Sequence, residues 1–134
     1  MNKIFKKTLC TWLILLFATT LGGCRIVEYD VHTFSLADYQ DYLGSYMLNE
    51  EYDDIRICGK VESAIDAVEK AKTVMERVYG ESALGTKGPY SVYYDEHTDT
   101  WLVIGTTLFL KGSGACVIIK GDDGEVLAVW NYKF

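Results

Sequence analysis

The chain has 134 residues, with 19 acidic against 13 basic side chains, a formal charge of -6 and four cysteines. That length suits one domain built around one core. The acidic balance argues against nucleic acid and anionic lipid headgroups as ligands, because both would be repelled, and it favours a basic protein partner.

Lys3, Lys6 and Lys7 precede an apolar run from Leu9 to Ala18, and small residues lead to Cys24 in the stretch Leu21-Gly22-Gly23-Cys24. This is the layout of a secretory signal, and the apolar run falls short of the about 20 residues that a membrane-spanning helix needs. The "LGGC" stretch resembles the lipobox of bacterial lipoproteins. The resemblance implies cleavage just before Cys24, lipid attachment on its sulfur, and residence on the extracytoplasmic face of a cell membrane. Residues 1–23 are then a signal peptide and 24–34 a tether; the competing reading is an ordinary secretory signal with a chance cysteine. Without residues 1–23 the chain keeps 10 basic and all 19 acidic residues, a charge of -9. Cys58 and Cys116 remain as an even pair in a compartment that permits disulfides, which leaves two readings open: a bond between them, or two separate small apolar residues in the core.

Ser35-Leu36-Ala37-Asp38 has the spacing of a capping box, and Leu36, Tyr39, Leu43, Tyr46 and Met47 follow at helical spacing, predicting a first helix interrupted near Gly44. Asn49 to Asp54 reads as an acidic surface loop, lacking the ligand spacing of a calcium loop. Ser63-Ala64-Ile65-Asp66 is a second capping box. It opens a helix whose buried stripe is Ala64, Val68, Ala71, Met75 and Val78, ended by Tyr79-Gly80.

From Pro89 the hydrophobic period becomes two. Strands are predicted at Tyr90 to Tyr94, Thr100 to Thr107, Ala115 to Lys120 and Glu125 to Tyr132, joined in antiparallel fashion. If Asp122-Asp123-Gly124 is a three-residue hairpin loop with Gly124 left-handed, Ile119 lies opposite Leu127 and Val117 opposite Val129, an aliphatic face suited to the second helix. The other face then carries Cys116, Ile118, Lys120, Val126, Ala128, Trp130 and Tyr132. Of these, Ile118, Lys120, Trp130 and Tyr132 are candidate partner-binding residues, with packing beneath the first helix as the alternative for the two aromatics.

Recognisable chemistry is sparse. His32 and His97 have no cysteine or acid at metal-ligand spacing, so no metal is expected. Gly112-Ser113-Gly114 lacks the spacing of a nucleophile elbow, and the glycines from Gly80 to Gly88 lack the Gly-Lys-Ser/Thr of a phosphate loop. We find no catalytic constellation and expect no cofactor.

One ordered set of features carries a resemblance over residues 64–134. It comprises an alanine-rich helix ending in Tyr79-Gly80-Glu81, "GPYSVYYD" from Gly88, Trp101-Leu102-Val103-Ile104-Gly105-Thr106, and "VIIKGDDGEVLAVW" from Val117 to Trp130. The set is similar to the immunity proteins with a nuclear-transport-factor-2-like (NTF2-like) fold of bacterial polymorphic toxin systems. It departs at Gly112-Ser113-Gly114-Ala115, where the family tends to carry adjacent glycines, and at Asn131-Tyr132, where the family often ends in histidine. The resemblance implies an α+β cone, with N-terminal helices packed on a curved four-stranded antiparallel sheet over residues 35–134, best supported from 63 to 134. It implies binding and neutralising a cognate toxin, without turnover. Two alternatives stay open: a PepSY-like secreted peptidase inhibitor or regulator, and a small ligand-binding or enzymatic domain of the same fold.

Overall fold

Ser63 caps the main helix as its sequence requires. Its Oγ accepts from the Asp66 N–H at 3.2 Å, and the Asp66 carboxylate accepts from the Glu62 N–H at 3.0 Å. The computed structural model describes residues 28–44, 50–80, 88–106 and 113–133. Helix α1 (Ala64–Tyr79) ends at Gly80, which takes the left-handed side of conformational space at φ 94°. Its inward stripe is Ala67, Val68, Ala71, Val74 and Met75. Both alanines are fully buried, which lets the helix axis approach the sheet closely.

The sheet has five strands in sequential order: β1 (Val31–Thr33), β2 (Tyr90–Asp95), β3 (Thr100–Thr106), β4 (Ser113–Lys120) and β5 (Val126–Lys133). Strands β2 to β5 pair antiparallel as the turn chemistry predicts. The expected four-stranded antiparallel sheet gains a fifth member, because β1 pairs parallel to β2 with Val31 beside Val92. Part of the segment read as a tether is therefore sheet. Its three residues are all exposed and lack the alternation that marks a half-buried strand.

Two apolar layers flank this sheet. The α1 stripe packs on Val92, Val103, Ala115, Val117, Ile119, Val126 and Val129. The opposite face carries Leu102, Cys116, Ile118, Ala128 and Trp130, covered by Phe34, Leu36, Tyr39 and Leu43 from the N-terminal segment. Helix and N-terminal segment thus lie on opposite faces, the arrangement in which Trp130 packs beneath the N-terminal segment. Residues 34–44 form a strap across the sheet. Its centre is a 3-10 helix (Leu36–Tyr42) kinked at Tyr39, where the sequence predicts a longer helix. Ser35 makes no side-chain cap; the Leu36 N–H instead donates to Asp95 Oδ2 at the end of β2, 2.9 Å away. At the far side the Gly44 N–H donates to the Leu127 carbonyl at 2.8 Å. The interruption expected at Gly44 is present, with φ 78°.

The chain then returns toward α1 through a second 3-10 helix (Glu50–Ile55), whose Glu51 carbonyl accepts from Arg77 on α1. Residues 56–61 run along the β4–β5 turn: Cys58 N–H donates to the Gly124 carbonyl and Val61 N–H to the Gly121 carbonyl, both at 2.9 Å. Gly124 is left-handed as expected (φ 73°), but the loop is one residue longer than predicted, with the Lys120 N–H donating to the Glu125 carbonyl. Ile119 therefore faces Val126 rather than Leu127, and a bulge between Ile118 and Ile119 restores Val117 opposite Val129. Val126 joins the α1 layer and Leu127 the strap layer, the reverse of the predicted faces.

Asp95 links strap, β2 and the following turn, since its other oxygen accepts from the His97 N–H at 3.0 Å. These bonds, the one from Leu36 foremost, hold its carboxyl below the usual carboxylate range. A depressed folded-state pKa contributes stability that is present above the unfolded value of about 3.9 and lost as pH falls through the folded value. Denaturant unfolding from pH 7 to pH 2 should accordingly show Asp95→Asn less stable than wild type at pH 7, the two converging in acid. Parallel curves at every pH would show that Asp95 does not tie the strap.

Candidate partner-binding surface

Strand alternation places Ile118, Lys120 and Trp130 on the face opposite α1, as the sequence suggested, but the strap changes what they touch. Ile118 is fully buried and Trp130 only 8% exposed. The Trp130 indole stacks on Tyr42 with centroids 4.5 Å apart and an interplanar angle of 19°, and Tyr39 lies against it at 5.8 Å. The partner-facing reading of these two residues is thereby corrected. Apolar residues at helical spacing in the N-terminal segment need a surface, and this sheet face supplies it. Lys120 stays half exposed, 3.9 Å from both Asp122 and Glu125, in surface ion pairs of small energetic weight. The Tyr132 side chain and Cys24 lie outside the described residues.

Cys58 and Cys116 are both free thiols. They belong to different layers, Cys58 packing with the α1 side and Cys116 under the strap, so the separate-core reading of the pair is the one found. Burial pushes the Cys116 thiol up to about 12, which leaves it protonated and unreactive. Cys58 is half buried, its Sγ donating to the Ile55 carbonyl, and its thiol is also pushed up by burial.

Among the described residues, two clefts lie at the margins of the sheet. At the start of β5 a groove of about 470 Å³ is lined by Leu43 and Gly44 of the strap, Arg56 and Ile57 of the return segment, and Val126 and Leu127. Ile57 is 66% exposed, the most exposed large apolar side chain among the described residues. At the other edge a cleft of about 350 Å³ brings together His32 from β1 and His97 from the β2–β3 turn, beside Asp95 and Glu96. Sequence spacing could not show this meeting, because it depends on the parallel pairing of β1 with β2. The Asp95 carboxylate there is occupied by backbone N–H groups, and among the described residues no three His, Cys, Asp or Glu side chains gather as a metal site.

The charge is unevenly spread. Residues 28–55, which form β1, the strap and the second 3-10 helix, include eight acidic residues and neither Lys nor Arg. Residues 66–133 include ten acidic and seven basic residues, close to balance.

A family model described as NTF2 fold immunity protein matches residues 66–133. The chain belongs to that family. No curated protein and no solved structure matches it. In this immunity protein the matched part comprises nearly all of α1 together with β2 to β5, the α+β unit that the ordered motifs pointed to. The acidic N-terminal segment and the return segment along β5 lie outside the match. The sheet face carrying Leu102, Cys116, Ile118 and Trp130 is therefore built by the family part and covered by residues outside it.

Proposed function

We propose that this immunity protein neutralises a cognate toxin by binding it, without catalysing a reaction, while held at the extracytoplasmic face of a membrane through lipid on Cys24. Membership of the family supports the immunity role. The observation that carries binding over turnover is the filling of both sheet faces. Met75, Val68 and Val74 of α1 interdigitate with Val103, Val117 and Val129 on one side, and the strap closes over Ile118 and Trp130 on the other. The described clefts lie at the sheet margins, which suits contact with another protein better than enclosure of a substrate.

The signal-like residues 1–23 and "LGGC" support the anchor and favour a toxin met in, or passing through, the envelope. The charge of -9 after cleavage favours a basic toxin whose encounter rate falls as salt rises past ~0.15 M, where the Debye length is about 8 Å. The test is protection: cells expressing the chain should survive a toxin encoded beside it, and the two should co-purify. Mass spectrometry should find an acylated N-terminal cysteine, and Cys24→Ala should leave the membrane fraction and protect less well. An intact Met1 would overturn the anchor. A chain that protects against none of the neighbouring toxins would overturn toxin binding.

A further inference from the structure

We propose that the groove at the start of β5 receives an apolar side chain flanked by Lys or Arg, presented by the toxin; this rests on the toxin-binding reading and names the surface it uses. The groove is about 470 Å³, within the range that holds a small ligand or a side chain, and its floor is Leu43, Val126 and Leu127. Ile57 stands at its side with two-thirds of its surface in water, an arrangement that partner contact would relieve.

Two backbone groups of β5 are already engaged at this point of the strand. The Val126 N–H donates to the Arg56 carbonyl at 2.7 Å, and the Leu127 carbonyl accepts from Gly44 at 2.8 Å. With the Val126 N–H and the Leu127 carbonyl already engaged, recognition here leans on side chains.

Charge selects the occupant. The cation lining the groove, Arg56, has its Nε 3.0 Å from Asp53 Oδ1, an exposed ion pair that sets an acidic residue beside it. Glu125 also lines the groove, and with Asp122 it shares the single Lys120 at 3.9 Å. The strap leading into the groove carries exposed Asp38 and Asp41 with no basic residue. An anionic segment would be repelled from this rim, and a cationic one drawn to it.

The full-length chain in detergent micelles is titrated with acetyl-Lys-Leu-Lys-amide, acetyl-Glu-Leu-Glu-amide and acetyl-Lys-Ser-Lys-amide while backbone amide shifts are followed. The first peptide should shift Leu43, Ile57 and Leu127 and bind about tenfold more tightly than either of the other two, the difference from the Glu peptide coming from the two rim charges and that from the Ser peptide from the one apolar contact. Shifts elsewhere, equal binding of all three, or no binding because the protein's own chain fills the groove would each overturn the proposal. In the protection assay Ile57→Glu should raise the amount of immunity protein needed at least tenfold, whereas Ile65→Glu, at an exposed position on α1, should not. Full protection by Ile57→Glu would leave toxin binding standing and remove the groove from it. Failure of the unaltered chain to protect, with the peptide selectivity intact, would overturn toxin binding and this use of the groove together.

Discussion

Replacing Trp130 by alanine is expected to destabilise the protein by about 3–5 kcal/mol and to lower its melting temperature by more than about 10 °C. The indole is the largest side chain of the strap-side layer. Its loss removes the support of Tyr42 at 4.5 Å and Tyr39 at 5.8 Å and leaves a void over Cys116, its cross-strand neighbour. Tyr42→Ala, which strips only the exposed outer ring of the stack, should be milder, about 1 kcal/mol. Trp130→Phe keeps an aromatic in place and should remain folded and protective, separating a structural role from direct toxin contact. Thermal unfolding of the three variants decides the matter. A melting temperature for Trp130→Ala within about 2 °C of wild type would mean that the strap does not cover this side chain.

Gly124→Ala is the second large effect, at least about 2 kcal/mol. The residue sits at φ 73°, where a side chain is disfavoured, and an added Cβ would run into the Gly59 carbonyl oxygen and lie 2.6 Å from the Gly59 nitrogen. Those atoms are backbone and cannot swing aside. They are held by the hydrogen bonds from Cys58 N–H to the Gly124 carbonyl and from Gly59 N–H to the Asp123 carbonyl, each 2.9 Å. Gly59 is also left-handed, at φ 87°, yet a Cβ there meets nothing within 4 Å. Gly59→Ala should therefore show only the conformational penalty, about 1 kcal/mol. Urea unfolding that gave equal losses for the two variants would show that the return segment does not press on the turn.

The parts of the fold governed by local chemistry were legible in the sequence. Ser63 with Asp66 opens α1, Gly80 closes it, and the period-two pattern from Tyr90 to Tyr132 locates four strands to within two residues at their ends. The errors arose where two arrangements satisfy the same local rule. A left-handed Gly124 fits a three-residue and a four-residue loop alike. The run Val126-Leu127-Ala128-Val129 is apolar throughout, so nothing in it marks which residue the bulge leaves over. Strand β1 is three exposed residues whose partner lies about sixty positions away. For the candidate site, alternation gave Ile118 and Trp130 the correct face, but whether that face is open depends on where the strap travels. Ile57 gave no signal at all, since its exposure follows from pairing along the β4–β5 turn rather than from its neighbours in sequence.

The strap also bears on the order in which the molecule is completed. Its two ties, Leu36 to Asp95 and Gly44 to Leu127, join the earliest described residues to strands synthesised much later. The α1 layer gathers residues that follow one another closely along the chain and can begin to consolidate as β2, β3 and β4 emerge. The strap layer must wait for the last strand, because Ala128 and Trp130 lie on β5. Such distant pairings close slowly, and until they do Leu102, Cys116 and Ile118 present an open apolar surface. A nascent chain stalled before Val126 would keep that surface exposed, making premature termination near the C-terminus a particular hazard to the folding of this protein.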